Sequence, residues 1–326
     1  MQRRTVLSAL AAMGATSAAP WAFAQASTWP DQPLRWVVPY PAGGGTDVLA
    51  RTVAEAMRQT LGQQIVVDNR PGASTNIGGQ MVATAKPDGN TFMSADNAVL
   101  AFNEHLFTKL PFNPEKDFTY VGAISRFPLA LVVNPAFEAK TVKEFLAYVR
   151  AHPGKLNYAS PGNGSPHHLA MEMFKNRTKI FATHIPYRGA APALQDVMGG
   201  QVPCMFLDLA AGLPVIQSGK VRALAIGSSK RVAALPDVPT LAEAGVPDTE
   251  VYAFQGILAP AGLPDAITAR LNADLNKALA NPAVVKRMTD FGMEALPGTP
   301  EQFRAMARAE SKRWGEIIKA AGVKLD

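Results

Sequence analysis

Four short segments share one arrangement: an apolar run, a loop of small residues, then the first turn of a helical pattern. They are Ala42-Gly43-Gly44-Gly45-Thr46, Ser74-Thr75-Asn76-Ile77-Gly78, Gly162-Asn163-Gly164-Ser165 and Gly189-Ala190-Ala191. The chemistry such loops offer is anion binding. A helix start presents backbone N–H groups without intrahelical partners and a partial positive charge, and small residues let a ligand approach the backbone. The first loop lacks the lysine of a phosphate loop and the spacing of a dinucleotide loop. One such loop alone could be a tight turn. Four in one grammar point to a nest for carboxylates built from backbone groups.

Side chains near these loops add candidates. Ser165 stands before Pro166, His167 and His168, which raises a second reading, an exported serine hydrolase using Ser165 and a nearby histidine. The G-x-S-x-G elbow is missing, and a helix N-cap before proline accounts for Ser165. Adjacent histidines cannot put both rings on one helix face. His105, His152 and His184 have no ligand spacing either, so neither a metal nor a cofactor is expected. Arg188 precedes a helix start and could pair with a carboxylate or face solvent. Asp96 and Asp208 end strand patterns. In a cleft they would repel an anion unless they bond an ammonium, a hydroxyl or water. Asp47 should cap its helix or face the macrodipole, and Phe254 and Gln255 either wall the pocket or pack in the core.

The elements that must position these groups alternate in type. Strand patterns cover Leu34–Tyr40, Gln64–Val67, Thr91–Ala95, Lys155–Ser160, Phe181–Tyr187, Gln201–Leu207 and Val221–Ile226. Between them run helical patterns, such as Leu49, Val53, Met57 and Leu61 closed by Gly62. Thr141 with Glu144 and Thr299 with Gln302 have the spacing of capping boxes. This alternation predicts an α/β fold with parallel strands. Phe118–Ile124 and Phe254–Leu258 bracket the middle section and read as two strands crossing between two domains. The expected division is 27–124 with 254–326 as the first domain and 125–253 as the second.

Residues 1–26 stand apart. Arg3 and Arg4 precede a short apolar stretch, and Ala22-Phe23-Ala24 is followed by Ala26, so a secretory signal peptide cleaved near Ala24 or Ala26 is expected. Its loss lowers the net charge from +6 to +4, because the segment contains two arginines and no acids. The remaining Lys and Arg residues are scattered without aromatic interleaving, which argues against nucleic acid as a partner. The single Cys204 excludes an internal disulfide and reads as a buried, inert thiol.

Several longer stretches carry a family likeness: PYPAGGGTDVLAR (39–51), VDNRPGASTNIGG (67–79), KPDGNTF (86–92), LPFNPEKDFTYVG (110–122), residues 140–174, HIPYRGAAPALQDVMGGQVPCMF (184–206), residues 219–245 and WGEIIKAAGVKLD (314–326). Together they resemble the periplasmic solute receptors of tripartite tricarboxylate transporters, the Bug-type receptors. The resemblance implies a type II-like two-domain binding protein that closes on a small carboxylate, dicarboxylate or aromatic. It implies delivery to membrane permease subunits in the periplasm, with no catalytic residue; a monomer is expected. A chemosensory receptor with the same cleft is a third reading. Carried onto this sequence, it places the carboxylate between Ala42–Thr46, partly through ordered water, and Gly162–Ser165 with Gly189–Ala191. Joined with the residues weighed above, the candidate ligand contacts are Tyr40, Ala42, Gly43, Gly44 and Thr46 in the first loop. Thr75, Asn76 and Asp96 follow. From the middle section come Ser160, Asn163, Gly164, Ser165 and His168, then Arg188, Gly189, Ala190, Ala191 and Asp208. The second loop, with Ser94–Ala98 and Leu207–Leu209, departs from the family pattern, which bears on the ligand's identity.

Overall fold

A computed structural model describes residues 29–325. The expected signal peptide and its cleavage sites lie outside the described residues. The elements run β1 (Leu34–Val38), α1 (Gly45–Leu61), β2 (Ile65–Asn69), α2 (Asn76–Ala83), β3 (Thr91–Asp96), α3 (Asn103–Leu106) and β4 (Phe118–Val133). Then come α4 (Val142–Ala151), β5 (Asn157–Ser160), α5 (Pro166–Thr178), β6 (Thr183–Pro186), α6 (Ala190–Met198), β7 (Cys204–Asp208), α7 (Leu209–Gln217) and β8 (Arg222–Ile226). The chain closes with β9 (Tyr252–Pro260), α8 (Asp265–Ala280), α9 (Pro282–Asp290), β10 (Glu294–Ala295) and α10 (Pro300–Ala321).

The strands form two parallel blocks joined through an antiparallel pair. In the first lobe β2, β1 and β3 are parallel, and β9 runs antiparallel to β3 and to β4. In the second lobe β6, β5 and β7 are parallel, and β7 and β8 both run antiparallel to the far half of β4. Parallel strands put all their carboxyl ends on one side, so each lobe presents its βα loops as a row. The chain has the two-domain binding-protein fold.

One strand, β4, belongs to both lobes. Its 16 residues exceed the expected Phe118–Ile124 segment. The sequence hides the continuation because Ser125, Arg126 and Pro128 break the apolar run. Pro128 pairs with Tyr252 as the last step beside β9, and Leu129 pairs with Asp208 as the first step beside β7. Proline brings no N–H to the ladder at that step. Just beyond it, Leu129 donates to Val251 O (3.1 Å), Val251 to Gly227 O (2.7 Å) and Gly227 to Leu129 O (2.7 Å).

Local signals act as their chemistry dictates. Gly62 closes α1 in the left-handed conformation, and Thr299 with Gln302 forms a reciprocal capping box on α10. At α4 only half of the expected box forms: Thr141 accepts from the Glu144 N–H, while the Glu144 carboxylate takes the Lys140 N–H instead. Helices α1 and α8 cover one face of the first-lobe sheet, and α2 and α10 cover the other. Cys204 is fully buried, and burial pushes its thiol pKa far up. Helix α7 begins directly after Asp208 and carries Pro214 inside it, so the turn signals that reveal its neighbours are absent there.

Candidate ligand-binding cleft

The first loop is shaped from below by a buried carboxylate. Gly43 sits at φ +82°, and its N–H points back to Asp47 Oδ2 at 2.9 Å. Asp47 also accepts from Asn69 Nδ2 at 3.0 Å and Arg51 Nε at 3.0 Å. Burial raises its pKa, but Arg51, the Gly43 N–H and Asn69 outweigh that and hold it below the usual carboxylate range. Asp47 thus does not cap α1; it sits in the first turn, facing the macrodipole as the other expectation had it, and folds back onto the loop. The Gly43 N–H is occupied, while the N–H groups of Gly44, Gly45 and Thr46 lie in the cap and first turn, which helix geometry leaves without intrahelical acceptors. Ala42, Gly43 and Gly44 are exposed.

Behind this loop the side chains are bound to one another. Tyr40 donates its hydroxyl to Asp96, and Asp96 also accepts the Ala98 N–H at 3.1 Å. Burial raises the pKa of both groups. Asp96 is therefore no free repeller: it is buried and bonded inside the lobe. On strand β9, Gln255 Nε2 donates to Thr46 Oγ1 at 2.8 Å, and its Oε1 is buried without a partner. In the second loop Ala73, Ser74 and Thr75 all have positive φ, and such a conformation costs about 1–2 kcal/mol per non-glycine residue. Asn103 holds the loop there, donating to Ser74 O and Asn76 Oδ1, both at 2.7 Å. Thr75 and Asn76 are buried.

In the second lobe the loop after β5 rests on two histidines. Ser160 Oγ donates to Gly162 O (3.0 Å) and lies 2.6 Å from His184 Nε2. The Gly164 N–H donates to His168 Nδ1 at 3.1 Å. The two imidazoles stack 4.0 Å apart and nearly parallel, with Tyr158 beneath His184. Burial drives the His168 pKa down to about 4 and the His184 pKa down to about 3. Both rings are therefore neutral near pH 7, and His168 acts as an acceptor. The loop after β6 is zipped to this one through Gly189 N to Pro161 O at 3.0 Å. Beside it Arg188 is exposed and pairs with no acid among the described residues. Asn163 is exposed, and Ala190 and Ala191 open α6.

Asp208, like Asp96, is engaged. It caps α7 through the Ala211 N–H (2.8 Å) and meets His167 Nε2 at 3.0 Å. Burial raises its pKa, but the His167 bond outweighs burial and leaves it lowered. The two rows of loops face each other. A Cβ built on Gly45 would lie 3.8 Å from Ala210 Cβ, and one on Gly292 only 2.9 Å from Leu209 Cβ.

Residues 49–323 match the sequence profile of the tripartite tricarboxylate transporter family receptor. The chain belongs to this family. It is 37% identical to the protein BugT of Bordetella pertussis over 301 residues, 92% of either chain. It is 36% identical over 317 residues to a Pseudomonas sp. (strain P51) protein, covering 97% of this chain and 94% of that one. Among solved structures it resembles Rpa4515 of R. palustris with adipate, at 35% identity and a TM-score of 0.87, over 91% of this chain and 99% of that one. MatC from Rhodopseudomonas palustris with bound malate gives 36% identity and a TM-score of 0.82, over 89% and 99%.

Family membership makes the chain a solute receptor and not an enzyme, and the local chemistry agrees. Ser165 Oγ caps α5 by accepting the His168 N–H (3.3 Å) and donates its proton to Gly162 O at 2.8 Å. Its neighbours His168 and His167 bond Gly164 and Asp208 instead, so no general base is aimed at it. The receptor's other anchors, Asn69, Asn103 and His184, escaped the sequence reading. Each acts on a partner more than 20 residues away, where no local pattern points to it.

Proposed function

We propose that this receptor captures a small aliphatic dicarboxylate between its two rows of loops and delivers it to the permease subunits of a tripartite transporter. The observation that carries this reading is the first loop. A buried carboxylate, Asp47, fixes Gly43 and leaves the Gly44–Thr46 N–H groups as acceptor-free donors for one carboxylate. Across the cleft Gly162–Ser165 and Gly189–Ala191 close on the ligand, with Arg188 as the cation for its second carboxylate. The adipate and malate in the similar structures are both aliphatic dicarboxylates, which favours this class over aromatic carboxylates. Asp96 and Asp208 shape the lobes and do not touch the ligand.

The protein acts in the periplasm as a monomer, exported by residues 1–26 and cleaved near Ala24 or Ala26. The first domain comprises 27–124 and 254–326, the second 125–253, and ligand binding shifts the lobes toward a closed state. The test is a thermal-shift and calorimetric screen of succinate, malate and adipate against acetate and benzoate. A ligand at about 100 times its dissociation constant adds roughly 2.7 kcal/mol of stability. Arg188→Ala should weaken dicarboxylates at least tenfold, on the order of the 1.5–3 kcal/mol of a charged hydrogen bond, and leave monocarboxylates unchanged. Equal loss for both classes would remove Arg188 from the second carboxylate.

A further inference from the structure

The terminal stretch WGEIIKAAGVKLD (314–326) is a long motif that the ligand site leaves unexplained. Trp314 meets Phe102 edge-on at 5.0 Å and fixes the end of α10 against the turn that follows β3. Gly322 then closes α10 in the left-handed conformation and sends the chain back across α3. There the Leu325 N–H donates to Leu106 O (3.0 Å), and Lys324 Nζ donates to His105 O (3.1 Å). Leu325 is thereby carried to the opposite lobe. A Cβ built on Gly164 would lie 2.7 Å from Leu325 Cδ1 and 2.8 Å from Leu106 Cδ1. Two leucines of the first lobe thus fill the space where Gly164 has no side chain. Behind the tail the surface opens into a cavity of about 490 Å³, lined by Glu104, His105, Lys319 and Lys324 among others. The tail is therefore backed by space on one side and by the loop on the other.

We propose that the segment after α10 is a positioning element for ligand binding: Leu325, seated with Leu106 against Gly164, holds the Gly162–Ser165 loop in its binding shape from the opposite lobe. This rests on the reading of that loop as a ligand loop. It assigns the terminal motif a task in addition to packing: Leu325 lies against the core and also reaches Gly164 of the other lobe. The contact also makes the tail a place where anything that displaces it loosens the ligand.

The experiment is amide hydrogen exchange of the whole mature protein without ligand, together with calorimetry against malate and adipate, for the wild type, Leu325→Ala and Leu325→Met. Leu325→Ala should speed exchange at Gly164 and in the first turn of α5 and leave the rest of the second lobe unchanged. It should weaken binding about tenfold, and Leu325→Met, of similar volume, should restore both. Unchanged protection at Gly164, or protection lost evenly over the second lobe, would overturn the proposal. The exchange measurement needs no ligand, so it decides the tail–loop coupling even if the wild type binds none of the dicarboxylates and the functional reading fails. Should Leu325→Ala fold poorly, Gly164→Ala tests the contact from the other side. Gly164 sits at φ +72°, so the substitution also strains the loop; the readout is therefore exchange at Leu325 and Leu106 on the opposite lobe, which should speed up, and unchanged exchange there would sink the idea.

Discussion

The two loops that face each other across the cleft do similar work on opposite foundations. The first-lobe loop hangs on a buried charge: Asp47, with Arg51 and Asn69 around it. The second-lobe loop hangs on neutral rings: His168 and His184, stacked on Tyr158, with Glu172 and Lys175 of α5 alongside. A charged anchor that binds several N–H groups keeps its state until strong acid. A neutral imidazole held by burial changes state as soon as protonation outweighs desolvation. The cleft therefore has one jaw that is nearly indifferent to acid and one that is not.

The sharpest way to break this comparison is to block the first jaw without unfolding it. At Gly44 (φ −77°) a Cβ meets nothing closer than Pro41 O at 3.6 Å, so Gly44→Val should fold normally. Its branched side chain would cover the N–H face. We expect carboxylate affinity to fall by about two orders of magnitude or more, roughly 3 kcal/mol, with little change in melting temperature. Retained affinity in calorimetry would move the ligand away from that helix start.

The next effect is smaller and mixes stability with binding. Asp47→Ala leaves the exposed Gly43 N–H and Arg51 and the half-buried Asn69 without their shared acceptor, and each lost hydrogen bond is worth about 0.5–1.5 kcal/mol. Both the urea midpoint and the affinity should drop. Asp47→Asn retains an acceptor and should recover part of each. Wild-type behaviour of Asp47→Ala would show that the loop holds its shape unaided.

The smallest effect tests the contrast itself. Histidine titrates near 6.5 in an unfolded chain, whereas His168 titrates at about 4 and His184 at about 3 here. Between these values the unfolded state binds more protons, so stability is fully present above about pH 6.5 and is lost as pH falls through about 4. The lowered Asp47 works in a lower window, since its contribution persists until pH drops below the ordinary carboxylate value. Acid should therefore loosen Gly162–His168 before Ala42–Asp47 in hydrogen exchange. His168→Asn, which offers an acceptor that does not titrate, should flatten the dependence. Simultaneous loosening of both loops would erase the distinction.

The comparison also explains what the sequence could reveal. The strand–loop–helix grammar is local, so the rows of loops are legible. Ser165 is readable as a cap because Pro166 follows and the bond reaches only to His168. Asp96 and Asp208 were legible as strand ends but not as engaged groups. Their partners, Tyr40 and His167, lie 56 and 41 residues away. Gln255 reaches Thr46 across 209 residues. Such pairings depend on which strand lies beside which, and residue spacing carries no trace of that.

The change of partner along β4, from Tyr252 of β9 at Pro128 to Asp208 of β7 at Leu129, has a mechanical consequence. On either side of it β4 is clamped in a ladder, to β9 in one direction and to β7 and β8 in the other. Sliding one lobe past the other would shear both ladders at once. Twisting about the ribbon's long axis concentrates at the Pro128–Leu129 step, where β4 passes from one ladder to the other. The ribbon then works as an axle. Such an axle is expected to bring the jaws back to one alignment whatever lies between them, so a ligand of the wrong length would leave contacts unmade.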